Sequence, residues 1–334
     1  MSLRVAINGF GRVGRSVLRA ALERNVDLEF VGINDLTDPR QLLLSFKYDS
    51  IHGVYKERVT LDGDHLLVGG NKIKLTAIKD PSQLPWKELN VDIVVDSTGK
   101  FVKREQLENH LKAGAKKVAL AVPPKDALDA TIVMGVNSDT LTKDMKLVSN
   151  ASCTTNCAAP VVKVLHDAFG VRRGYMITVH AYTNDQRLLD FPHKDLRRAR
   201  AATLSVIPTT TGAARAIGKV IPELNGKLQG MSYRVPVADG SICDLILELD
   251  QKVCVEKINE AVKNASMTNF KGILEYTNDP IVSVDIIDNP HSSIFDSLLT
   301  QTLNGNWVKV SSWYDNEWGY SNRMIDLIER MFHL

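Results

Sequence analysis

The run LRVAIN, residues 3–8, is predicted as a buried strand, and it feeds into GFGRVG and then SVLRAALER, whose apolar positions recur at helical spacing. LEFVGIND, residues 28–35, predicts a second strand. Strand, glycine turn, helix and strand in that order are the unit of a parallel sheet. Two further apolar segments, DIVVDSTG (92–99) and KKVALAV (116–122), flank the helical stretch REQLENHLKAG and are assigned to the same sheet. The pattern changes at Cys153. A helix, CTTNCAAPVVKVLHDAFG, is followed by longer strand-like runs, GYMITVHAY, GMSYRVPV and SICDLILEL, which predict a second and mainly antiparallel sheet. The chain closes on an amphipathic helix, GYSNRMIDLIERMF.

The fold class expected is α/β: a Rossmann-type dinucleotide-binding domain plus an α+β catalytic domain with a mainly antiparallel sheet. The expected boundaries are residues 1–150, residues 151–316, and residues 317–334 as a C-terminal helix returning to the first domain. A length of 334 residues suits two cores better than one. With 41 Lys+Arg against 39 Asp+Glu, the formal charge is +2, which supports neither a nucleic-acid nor a membrane partner. The N-terminal MSLRVAINGF lacks a signal-peptide pattern and no apolar run reaches membrane-span length, so a cytoplasmic location is the expectation. In that compartment Cys153, Cys157, Cys243 and Cys254 are expected as thiols. Their spacing matches no common zinc arrangement, so no metal is expected.

In INGFGRVGR the residues Gly9, Gly11 and Gly14 fit G-x-G-x-x-G. A tight turn of this kind brings backbone N–H groups against a pyrophosphate at a helix N-terminus, where side chains would hold the two apart. Alone the pattern is weak. Here it lies between a strand and a helix, and Asp35 follows at the offset where a carboxylate meets the adenosine ribose hydroxyls. A lone Asp in NDLTD would read as a cap or turn residue; after this loop, ribose binding is the better reading. A carboxylate there also repels a 2′-phosphate, so NAD is expected over NADP.

SNASCTTNC, residues 149–157, places a cysteine among hydroxyl and amide side chains rather than apolar ones. Cys153 is predicted at a helix start, where the dipole and free N–H groups favour a thiolate. Cys157, one turn later on the same face, reads as a packed structural residue. The residues alone do not choose a base among eight histidines. His180 stands out at the end of a strand among polar groups, although a histidine so placed is more often structural.

Together SNASCTTNCAAP, HAYTNDQ, HKDLRRARAA, IPTTTGAA, RVPV and SWYDNEWGYSNR resemble the phosphorylating glyceraldehyde-3-phosphate dehydrogenases, in order along the whole chain. The resemblance implies that Cys153 is the nucleophile and His180 its base. It implies that Thr183 and Arg234 hold the phosphate on the substrate. Ser152, Thr154, Arg198, Thr211 and Gly212 would surround the attacking inorganic phosphate, and hydroxyls, a backbone N–H and guanidinium forks suit such oxyanions. Without the neighbouring motifs, HKDLRRAR would read as a solvated basic face or an RNA-binding stretch. Gly9, Arg12, Val13, Asp35, Lys79 and Asn316 fall where the family binds NAD, with Asn316 on the nicotinamide carboxamide. Lys79 stands where arginine is commoner, Ala121 replaces a frequent serine, and Phe191 a common leucine.

The implied reaction converts glyceraldehyde 3-phosphate and inorganic phosphate to 1,3-bisphosphoglycerate through a Cys153 thiohemiacetal and acyl thioester. The nearest rival, erythrose-4-phosphate dehydrogenase, shares phrases such as VSVD, DNPHS and NEWG but is less similar at HAYTN and TTTGAA. A rival of another class is a binding or regulatory protein with a vestigial site. The long basic stretch from Ala181 to about Val206 exceeds a simple connection. The resemblance implies that it packs against a symmetry partner in a homotetramer.

Overall fold

The N-terminal strand forms as Leu3–Asn8, with Leu3 and every residue from Val5 to Asn8 buried, in the computed structural model, which describes residues 2–334. The helix after it, Arg12–Arg24, buries Val17, Leu18, Ala20 and Ala21 and ends at Asn25 in the left-handed region (φ 50°). Asparagine tolerates that conformation better than most non-glycine residues. Leu28–Asn34 returns parallel to Leu3–Asn8, so Asp35 stands just past the strand rather than in it.

Two compact units emerge. One comprises the chain up to Ile132, Asp139–Ala151 and Ser321–Leu334; the other comprises Val133–Ser138 and Ser152–Tyr320. The first holds a nine-stranded sheet in the order Ala130–Thr131, Leu147–Ser149, Lys117–Leu120, Ile93–Asp96, Leu3–Asn8, Leu28–Asn34, Asn71–Thr76, His65–Val68 and Thr60–Asp62. All pairings are parallel except the last two. Leu3–Asn8 lies between Leu28–Asn34 and Ile93–Asp96, which places the glycine loop where the strand order reverses, the usual ligand crevice of an open parallel sheet. Trp86, Val94 and Ala6 lie in one core cluster of this unit, and Leu107, Val118 and Leu120 in another. The end of the chain is tied down inside the same unit by Arg24, which pairs with Asp326 at 2.8 Å and donates to the Asn322 carbonyl.

The second unit holds a seven-stranded sheet: Ile207–Thr210, Leu228–Val235, Val171–Ala181, Ser241–Leu249, Trp307–Tyr314, Ser293–Leu303 and Leu274–Thr277. Four of its pairings are antiparallel and two parallel. One parallel pair matters for chemistry, because its register sets His180 directly opposite Arg234. The helix Cys153–Phe169 packs on this sheet and against the helices Ala213–Val220 and Val255–Met267. Its fully buried Val161, Val162 and Leu165 each contribute about 1.5–3 kcal/mol of burial. Pro160 within it removes one backbone N–H.

Candidate active site

Ser152 begins the cysteine helix as its N-cap. Its hydroxyl accepts from Thr155 N at 3.1 Å and lies 2.7 Å from Thr155 Oγ1. That hydroxyl is therefore a cap first. Ala151 before it holds φ 55°, a conformation that costs a non-glycine residue about 1–3 kcal/mol and is concentrated at functional sites.

Cys153 thus opens the helix with its sulfur 3.5 Å from Nε2 of His180. His180 is nearly fully buried at the end of Val171–Ala181. Its Nδ1 lies 2.7 Å from the Ala181 carbonyl oxygen. A proton on Nδ1 would be accepted there and would leave Nε2 a lone pair facing the sulfur, whereas the guanidinium N–H aimed at Nδ1 needs that nitrogen as an acceptor, so the two neighbours call for opposite tautomers. Arg234 Nη1 donates to the same carbonyl at 2.9 Å and lies 2.7 Å from Nδ1. Arg234 Nε is buried without a partner, so the guanidinium has a donor unspent.

Burial and then Arg234 push the His180 imidazole down to about 3, with the Ala181 carbonyl opposing. Cys153 retains some exposed surface, yet its sulfur is enclosed enough that burial pushes the thiol up, against Arg234 and the hydroxyl and N–H of Thr154. The helix-start N–H of Thr154 favours the thiolate, as expected, but burial opposes it more strongly. Moving the thiol proton to Nε2 is a different event. It leaves the pocket's net charge unchanged and sets opposite charges in contact.

A buried tyrosine that the sequence reading did not single out braces this pair. Tyr314 OH lies 2.9 Å from Thr154 Oγ1 and 2.8 Å from Thr178 Oγ1, tying the residue after the nucleophile to the strand that carries His180. Its ring meets the His180 ring edge-on at 5.8 Å. The signal available was SWYDNEWGYSNR, which contains it. Ser241 was also missed. Its Oγ accepts from Ala181 N at 3.1 Å and donates to Asn316 Oδ1 at 2.6 Å. Cys157 is fully buried and pushed up to about 12 by that burial, consistent with a packing role.

Arg198 is engaged: it pairs with Asp185 and donates from Nε to Thr209 Oγ1 at 3.0 Å. Thr211 Oγ1 accepts from Ala213 N at 3.2 Å, and Gly212 is the N-cap of Ala213–Val220. Thr183 N donates to Gln186 Oε1 at 3.3 Å. Among the described residues none of these three hydrogen-bonds to Cys153 or His180.

In the first unit the glycine loop has the shape a dinucleotide needs. Gly9 holds φ +90°, and a Cβ there would meet Thr98 N at 2.8 Å; at Gly14 it would meet the Gly9 carbonyl at 2.3 Å. At Gly11 a Cβ would meet nothing within 4 Å, so that position stays open for a ligand rather than for packing. A cavity of about 480 Å³ is lined by Gly9, Gly11, Asp35, Lys79, Thr98 and Phe101 among others. Asp35 is doubly engaged, accepting from Phe10 N at 2.8 Å and Thr37 N at 3.0 Å. Arg12 lies at the helix start beside Val13, and its side chain pairs with Asp49. Burial alone would raise the Asp49 carboxyl, but Arg12 and the N–H groups of His52 and Ile51 bring it down to about 2. Ala121 is buried, its N–H bonded to the Asp96 carbonyl at 2.9 Å.

Residues 3–104 match the family model of the glyceraldehyde 3-phosphate dehydrogenase NAD binding domain, and residues 152–316 match that of the C-terminal domain. The glyceraldehyde-3-phosphate dehydrogenase of Geobacillus stearothermophilus is 55% identical over 328 residues, spanning 98% of this chain and 97% of its own length. That of Borreliella burgdorferi is 55% identical over 336 residues, with 98% and 99% covered. That of Priestia megaterium is 54% identical over 330 residues, with 98% of each covered.

Proposed function

The chain belongs to the glyceraldehyde-3-phosphate dehydrogenase family, and from that premise we propose that Cys153 and His180 carry the NAD-dependent oxidation and phosphorylation of glyceraldehyde 3-phosphate. The observation that carries this reading is the Sγ–Nε2 contact of 3.5 Å beside a guanidinium with a free donor. Cys153 loses its proton to His180 and its sulfur adds to the aldehyde carbon, forming a thiohemiacetal. Backbone N–H groups at the helix start and the protonated imidazole stabilise the oxyanion. The protonated imidazole gives its proton to that oxyanion and takes it back as the carbon is oxidised, leaving an acyl thioester on Cys153. NAD, when bound, supplies the hydride acceptor. Inorganic phosphate attacks the thioester and frees the thiolate. A serine would be a poorer nucleophile and its ester a poorer acyl donor, so sulfur is required.

Thr183 and Arg234 would grip the phosphate of the substrate, and Ser152, Thr154, Arg198, Thr211 and Gly212 would receive the attacking phosphate. The cap role of Ser152 and the Asp185 pairing of Arg198 mean that these two must share or exchange partners to do so. For the cofactor, Gly9, Gly11, Arg12, Val13 and Gly14 would hold the pyrophosphate, Asp35 the ribose, and Lys79 the rim of that cavity. Asn316 would meet the carboxamide. The decisive assay is NADH formation with glyceraldehyde 3-phosphate against erythrose 4-phosphate, each with and without inorganic phosphate. Faster phosphate-dependent turnover of the four-carbon aldehyde would overturn the substrate assignment.

A homotetramer is part of the same reading. Between Tyr182 and Val206 the chain exposes Leu188 at 74%, Leu196 at 83% and Leu204 at 79%, large apolar groups that a free surface would not favour. A monomer mass by light scattering with full specific activity would refute it. A cytoplasmic site is also proposed, supported by four cysteines that are all free thiols. No helix among the described residues is long and apolar enough to cross a membrane.

A further inference from the structure

Asn316 presents an amide whose two ends differ chemically: Oδ1 accepts and Nδ2 donates. Which end faces a ligand is settled by what the other end meets inside the protein. Ser241, 1% exposed, is the partner. Its Oγ already accepts from Ala181 N at 3.1 Å, and its only other partner among the described residues is Asn316 Oδ1 at 2.6 Å. If the amide were turned over, Nδ2 would donate to the serine oxygen and the buried serine proton would have no acceptor. An unmatched buried donor is costly, so the arrangement selects one orientation. Asn316 Nδ2 makes no hydrogen bond among the described residues and is not sealed from solvent.

We infer that Ser241 is a positioning residue that locks the Asn316 amide with Nδ2 outward, so that the site reads a hydrogen-bond acceptor, the carbonyl oxygen, on position 3 of the nicotinamide ring. The inference rests on the reading of Asn316 as the group that faces this ring. It goes further by making the serine hydroxyl the source of the orientation, and it links the ring site to catalysis. Ser241 is bonded to the N–H of Ala181, the residue whose carbonyl receives His180 Nδ1. Backbone geometry supports a fixed serine. Gly240 before it holds φ +84°, and a Cβ there would meet the Ser283 carbonyl at 2.3 Å. Ser241 itself pairs with Tyr314 across the sheet.

The test is equilibrium binding, by calorimetry, of two dinucleotide analogues to the full-length protein. One carries 3-acetylpyridine, whose ring substituent only accepts; the other carries 3-aminopyridine, whose substituent chiefly donates. The wild-type protein should prefer the acetyl analogue by about tenfold or more, the scale of one matched against one unmatched hydrogen bond. Ser241→Ala, which frees the amide to turn, should bring the two affinities within about threefold, while Ser241→Thr keeps the hydroxyl and the preference. ADP-ribose, which lacks the ring, reports whether each variant retains the adenosine half of the site. Absence of the preference in the wild-type protein overturns the proposal without reference to any variant. A preference undiminished in Ser241→Ala but lost in Asn316→Ala overturns the serine's role alone. A preference that survives Asn316→Ala removes Asn316 as the reader of the ring, and the reading beneath it.

Discussion

Replacing Tyr314 with phenylalanine should separate packing from positioning at the nucleophile. The ring stays, and with it the edge contact to His180 at 5.8 Å; only the hydroxyl that joins Thr154 Oγ1 (2.9 Å) to Thr178 Oγ1 (2.8 Å) is lost. Two neutral hydrogen bonds at a net 0.5–1.5 kcal/mol each give about 1–3 kcal/mol. Partial recovery is open to the threonines, whose hydroxyls can turn to local backbone carbonyls, so the lower half of that range is the better expectation. The catalytic consequence is larger than the thermodynamic one. Thr154 follows Cys153 directly, and a sulfur that drifts by a fraction of an ångström from Nε2 loses efficiency steeply, here about tenfold in the rate of thiol alkylation near neutral pH. The assay pairs urea unfolding at fixed protein concentration with the pH profile of iodoacetamide alkylation of Cys153. A variant that is destabilised but alkylates as wild type would show the hydroxyl to be a structural tie only. One that changes neither would refute the bracing argument.

Cys153→Ser should abolish turnover and leave NAD binding intact, and mass spectrometry should find iodoacetate on Cys153 before Cys254, although Cys254 is the more exposed thiol; first labelling of Cys254 with activity lost in parallel would reverse the assignment. His180→Asn should move the alkylation profile to higher pH. It should also protect against acid. The folded ring, held down to about 3, stays neutral while the unfolded ring takes up a proton near 6.5, so the wild-type protein loses stability progressively as pH falls from 6.5 towards 3, by on the order of 5 kcal/mol in the limit. Unfolding curves at pH 7 and pH 4.5 measure that loss, and an equal loss in the variant would contradict the assignment. Asp35→Asn keeps one acceptor for the Phe10 N–H but removes the charge, and kcat/KM should show NADP discrimination weakened by about 1–3 kcal/mol.

Periodicity and glycine spacing carried the fold. The strand at residues 3–8, the helix from Cys153, and the nine-residue strand SICDLILEL all form where pattern alone puts them, the first two as runs buried on nearly every side and the third with alternating burial over its first half. Local chemistry was legible where one residue type serves one purpose, as at Gly9 with its positive φ. What stayed hidden depended on partners distant in sequence. Tyr314 and Thr154 are 160 residues apart, and Ser241 and Asn316 are 75 apart. Neither pair has a period or spacing to betray it. The burial that opposes a thiolate at Cys153 was hidden for the same reason: the helix terminus is readable from sequence, but desolvation is a property of the packed site.

The cofactor loop shows how far such hidden partners extend beneath a motif. Asn8 and Asn34, at the ends of adjacent strands, bond to each other at 2.8 Å; Asn8 continues to Asp96 at 2.9 Å, and Asp96 to His110 Nε2 at 3.0 Å. Trp86 Nε1 donates to His110 Nδ1 at 3.0 Å, which makes that nitrogen the acceptor and leaves Nε2–H to donate to the carboxylate. The other carboxylate oxygen of Asp96 accepts from Thr98 N and Oγ1, and Ser97 Oγ donates to the Gly9 carbonyl at 2.6 Å. A chain of matched donors and acceptors therefore runs from an indole in the core to Thr98, and Ser97, next to it in the chain, holds the carbonyl of the first glycine. Each link is buried or nearly so, and an unmatched member would cost more than an apolar replacement. The glycines make the turn possible, but this buried chain makes it single-valued, and it does so with residues that a G-x-G-x-x-G pattern does not contain.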